Sequence, residues 1–120
     1  MTLQDYLSEH QTRFTEELTE FLRIPSVSTD ASYKEDVRRA AFFVADKLRS
    51  AGLKTHLLET PRHPVVYGSY HVGDTAPTVL VYGHYDVQPP EPLDLWDSPP
   101  FEPRIADGVI YARGATDDKG

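Results

Sequence analysis

The sequence predicts an α/β domain in which helices pack against a mixed β-sheet. Two amphipathic helical patterns come first, β-branched runs follow, and one of those runs is apolar almost throughout, as in a strand covered on both faces.

The first helix is expected from about Leu3 to Arg23, because Leu3, Leu7, Phe14, Leu18, Phe21 and Leu22 recur at spacings of three, four and seven. Pro25 stops it by pushing the preceding residue out of the helical region. A second helix is expected from about Tyr33 to Ala51. Ser32 and Glu35 have the spacing of a capping box, Val37, Ala41, Val44 and Leu48 form the apolar stripe, and Gly52 is the expected stop. Strands are expected at Lys54–Glu59, Pro64–Tyr70, Thr78–Gly83 and Gly108–Ala112. The run TVLVYG at 78–83 is the one expected to be buried on both faces. No helix follows the last strand to cover the sheet, so the chain is expected to be the front part of a larger domain.

Composition narrows the function. Of 120 residues 39% are hydrophobic and 26% charged, which is ordinary globular usage. The net charge is −7, and residues 84–120 hold eight acidic and three basic side chains, so most of the excess lies there. Nucleic acid and anionic membrane surfaces need a basic face and are not expected partners. No cysteine is present, which removes disulfides, thiolate metal sites and a cysteine nucleophile. MTLQDYLSEHQTRF has neither the basic nor the apolar region of a signal peptide, and a cytoplasmic location is expected.

Two groups of residues could do chemistry. His84-Tyr85-Asp86 follows the apolar run, at the carboxyl end of a strand, where ligands bind in open α/β sheets. The spacing suits an imidazole that binds a metal through one nitrogen and donates to a carboxylate from the other. Asp117 and Asp118 repel one another and call for a positive partner, either Lys119 or a divalent cation. Imidazole nitrogen with carboxylate oxygen is the donor set of zinc or manganese, and a carboxylate can bridge two ions. Other chemistries lack support. There is no phosphate-binding glycine loop, Ser26 and Ser28 have no neighbouring His in the sequence, and His10, His56, His63 and His71 read as surface or loop histidines.

Four stretches together resemble the M20 family of metallopeptidases and amidohydrolases: FLRIPSVST at 21–29, VLVYGHYDVQP at 79–89, WDSPPFEP at 96–103 and DGVIYARGATDDKG at 107–120. The third is most similar to the dipeptidase branch. The resemblance implies the N-terminal part of a three-layer α/β/α zinc-peptidase-like catalytic domain with a mixed sheet, spanning residues 1–120. It implies two divalent ions, Zn²⁺ first with Mn²⁺ or Co²⁺ as alternatives. His84 would bind one ion, Asp117 would bridge both, and Asp86 would be the catalytic residue that orients His84. A cis peptide is implied between Asp117 and Asp118 in the intact, metal-bound enzyme.

The reaction implied is hydrolysis of an amide bond in a dipeptide or short peptide. Deacylation or desuccinylation of an N-acyl amino acid, or a non-catalytic binding module, are the alternatives. The parent protein is expected to be a homodimer acting on small substrates. The general base is implied to be a Glu downstream of residue 120; Glu59, Glu91 and Glu102 do not match its motif. The 120-residue chain alone is therefore expected to be inactive.

Overall fold

The computed structural model describes all 120 residues. Helix α1 covers Leu3–Leu22 and helix α2 covers Lys34–Ser50; strands follow as β1 (Lys54–Leu58), β2 (Val65–Ser69), β3 (Arg104–Ala106) and β4 (Val109–Tyr111). No helix is long and apolar enough to cross a membrane.

Thr2 starts α1 by a capping box that the sequence reading did not identify: its hydroxyl accepts from the Asp5 N–H, and Asp5 accepts from the Thr2 N–H. The predicted box at Ser32 and Glu35 does not form. Asp30 instead caps a short 3₁₀ turn at Ala31–Tyr33 by accepting from the Ser32 N–H, and α2 grows out of that turn without a side-chain cap of its own. The other end of α2 closes as expected. Gly52 adopts φ +90°, so its N–H reaches the Arg49 carbonyl and the Leu53 N–H reaches that of Leu48.

β1 and β2 pair antiparallel from Lys54–Ser69 to Leu58–Val65 and lie against α2. Gly68 is the close point, because a Cβ there would stand 3.1 Å from Leu48 and Leu53 methyls. β3 and β4 form a second antiparallel hairpin through Asp107-Gly108, both at positive φ. A single parallel bridge joins Val27 to Val87.

Thr78–Gly83 corrects the sequence reading. The segment is in no strand, and Val79, Leu80, Val81 and Tyr82 are 83–89% exposed. Its residues have the composition of a central strand, but β1–β2 and β3–β4 pair with each other and neither ladder reaches it. A run of this kind becomes a strand only when neighbours satisfy both of its edges and layers cover both of its faces.

The core is small. Leu22 from α1, Val37, Ala40, Ala41 and Ala45 from α2, and Ile24, Val27 and Val87 from the loops are buried together. Phe21 stacks on Phe43 with centroids 4.8 Å apart, joining the end of α1 to α2. Burial of each large apolar side chain contributes about 1.5–3 kcal/mol. Val87, three residues after His84, belongs to this buried set and is bridged to Val27, which ties the His84 segment to the exit from α1.

Candidate metal centre

Three chain segments meet at His84. The first is Ile24–Ser28, the exit from α1. The second is Gly83–Val87, and the third is the turn Gly114–Gly120 after β4. The Val87 N–H donates to the Ser26 carbonyl at 2.9 Å, and the buried Ser26 hydroxyl donates to the Tyr85 carbonyl at 2.6 Å. These bonds align the first two segments.

The third segment is held by Gly114 and Lys119. Gly114 sits at φ +86°, and a Cβ there would come within 2.6 Å of Val87 Cγ1, so both its conformation and its close approach require glycine. Lys119 does not pair with Asp117 or Asp118, as the sequence allowed. Its ammonium donates to the Ile24 and Phe21 carbonyls at 2.8 and 3.0 Å and lies over the Phe21 ring. The Phe21 carbonyl lies in the last turn of α1, where a cation is also favoured by the helix dipole, and the Ile24 carbonyl lies just past it. Burial, with Arg39 adding to it, pushes the Lys119 amine down to about 8.

All three predicted site residues come together. His84 Nδ1 is 2.9 Å from Asp86 Oδ1 and 3.1 Å from the Asp86 carbonyl. Both are acceptors, so Nδ1 carries the proton and donates. His84 Nε2 lies 2.9 Å from Asp117 Oδ1. Burial works to lower the His84 pKa, but the Asp86 carbonyl, the Asp86 charge and the Asp117 carboxylate outweigh it and hold the imidazole above its ordinary value. The Asp118 carboxylate turns to the other side and accepts from the His84 N–H at 3.1 Å. The Asp117–Asp118 peptide is cis.

Two residues that the sequence reading did not assign to the site also take part. Ser28 Oγ donates to Asp86 Oδ2 at 2.5 Å, and His63 Nε2, half-buried and not a free surface group, donates to the Ser28 carbonyl at 2.9 Å. Tyr85 anchors the loop by donating its hydroxyl to the Pro64 carbonyl, and burial with the Asp86 charge pushes its pKa up to about 12.

The donor chemistry fits a divalent ion. With Nδ1 committed to Asp86, Nε2 is the nitrogen that could take an ion in place of its contact with Asp117, a carboxylate whose side chain is 71% exposed. Asp117 Oδ2 makes no hydrogen bond within the protein, which leaves it open to a second ion. No third His, Cys, Asp or Glu closes a ligand set around the pair, whereas a structural zinc takes four ligands.

The chain is similar to several known proteins. Residues 80–120 match the family described as Peptidase family M20/M25/M40. The chain is 36% identical to the Cys-Gly metallodipeptidase DUG1 of Candida albicans across 98% of its own length and 27% of that protein's. It is 42% identical to a succinyl-diaminopimelate desuccinylase of Xanthomonas euvesicatoria over 64% of its length and 20% of the relative's. The crystal structure of human carnosine dipeptidase 1 superposes with a TM-score of 0.89 at 31% identity, over 96% of this chain and 27% of that one. The chain thus spans about a quarter of the length of the dipeptidases it matches. Its α/β architecture matches part of their fold, and the chain belongs to the M20 family of peptidases.

Proposed function

We propose that residues 1–120 form the N-terminal portion of the catalytic domain of a longer metallohydrolase, which cleaves the amide bond of dipeptides or short peptides at a pair of divalent ions. His84 Nε2 would hold one ion and Asp117 would serve both, while Asp86 accepts the hydrogen bond from His84 Nδ1 and so orients the ring. The observation that carries this reading is the placement of one imidazole between two carboxylates, 2.9 Å from each, at the end of an apolar run.

Zn²⁺ is the ion we assign, with Mn²⁺ or Co²⁺ able to use the same donors. Bound there, the ions supply Lewis acidity toward the scissile carbonyl and lower the pKa of water. The chain's own contribution is orientation. Asp86 holds the Nδ1–H and so directs Nε2 toward Asp117, and Asp118 holds the His84 backbone. The general base and the remaining ligands lie outside these residues, so the 120-residue chain alone turns over no substrate. We further place the whole enzyme in the cytoplasm, as a homodimer.

The test is hydrolysis by the full-length, zinc-loaded protein of Cys-Gly and carnosine, set beside an N-succinyl amino acid. Dipeptide cleavage that Asp117→Ala abolishes supports the reading. Preferential desuccinylation moves it to the second relative's chemistry, and cleavage of neither substrate class contradicts it.

A further inference from the structure

Ser26 and Ser28 have no neighbouring His to activate them as nucleophiles, and the structure gives Ser28 a different task. The two oxygens of Asp86 are divided: Oδ1 accepts from His84 Nδ1 at 2.9 Å, and Oδ2 accepts from Ser28 Oγ at 2.5 Å. A carboxylate with one partner is free to turn about its terminal torsion, whereas one held from both sides is not. The Ser28 bond is short, as expected for a hydroxyl on an ionised carboxylate.

The segment that presents Ser28 is itself immobilised. Val27 and Val87 are 1% and 2% exposed across their parallel bridge, Ser26 is bonded to the Tyr85 and Val87 backbones, and His63 donates to the Ser28 carbonyl. The hydroxyl is therefore delivered from the rigid part of the fold to a partly exposed pair, since the His84 and Asp86 side chains are 37% and 39% exposed.

We propose that Ser28 is a positioning residue: its hydroxyl locks the Asp86 carboxylate, and through it the ring orientation and tautomer of His84 as a metal ligand. This rests on the metal-centre reading above. Ser28 touches neither substrate nor ion; it acts through Asp86.

The experiment uses the full-length protein with Zn²⁺ as the probe, comparing Ser28→Ala, Ser28→Thr, Asp86→Ala and His84→Ala. Zinc affinity is read by competition with a chromophoric chelator, the His84 Nδ1–H by ¹⁵N NMR, and folding by circular dichroism. Ser28→Ala is expected to weaken zinc about tenfold, the range seen when outer partners of metal-binding histidines are removed. It is also expected to shift or broaden the Nδ1–H signal with an unchanged melting curve. Ser28→Thr, which keeps the hydroxyl, is expected to restore both readouts. Wild-type zinc affinity in Ser28→Ala alongside weakened binding in Asp86→Ala overturns the role of Ser28 and leaves the metal centre standing. Failure of Ser28→Thr to rescue a folded protein overturns it too. Wild-type affinity in His84→Ala and Asp86→Ala contradicts the metal centre itself, and the proposal with it.

Discussion

His84 is legible in the sequence because its partner Asp86 lies only two residues away, and the resemblance then places Asp117 beside it. Ser28 and Lys119 are not legible in the same way: Ser28 is 58 positions from Asp86, and Lys119 is 95 from the Ile24 carbonyl it binds. No local pattern encodes such contacts. Lys119→Met is expected to cost about 1–3 kcal/mol, because the Phe21 and Ile24 carbonyls lose a charged donor; urea unfolding of the full-length protein measures it. Arg38 and Glu59 test the electrostatics away from the site. Arg38 donates to both Glu59 oxygens, and this hydrogen bonding, acting against slight desolvation, lowers the Glu59 pKa below its ordinary 4.5. A lowered carboxylate pKa stabilises the fold above the ordinary value and loses that contribution as pH falls through the lowered one. Wild type and Arg38→Gln are therefore expected to differ slightly in Tm at neutral pH and to converge only as pH falls below 4.5 and through the lowered Glu59 pKa.

The elements divide by how local their determinants are. Both helices and β1 and β2 fall within a residue or two of expectation, since periodicity, Pro25 and Gly52 are local signals. Of the hairpin β3–β4 only one strand is expected from the sequence, at Gly108–Ala112, and it forms over Val109–Tyr111; Arg104–Ala106, charged and short, carries little strand signal of its own. Thr78–Gly83 failed for the opposite reason. Its apolar pattern describes the environment such a segment requires, and no ladder of this chain supplies it. The Thr2 cap was missed because it lies before the first apolar residue of the helix. Thr2→Ala is expected to destabilise α1 by about 1 kcal/mol, seen as faster amide exchange in the first turns.

The molecule as a whole is flatter than a finished domain. Its extents are 53 × 41 × 19 Å, its radius of gyration is 16.2 Å, and only 13 of 120 residues are buried. A compact domain of this length has a radius of gyration of about 14 Å. The exposed Val79–Tyr82 run and the thin core predict that the 120-residue chain, expressed alone, unfolds without a sharp transition and binds a hydrophobic dye. A cooperative melt without dye binding would show that the small core is sufficient. His84 and Asp117 are the residues on which the proposed metal centre stands or falls. The most direct test is a crystal structure of the full-length, zinc-soaked protein, with anomalous differences collected at the zinc edge. The account predicts a peak about 2.0–2.2 Å from both His84 Nε2 and an Asp117 oxygen, with Asp86 still on Nδ1. A zinc peak elsewhere, with His84 and Asp117 still paired directly to each other, would contradict it.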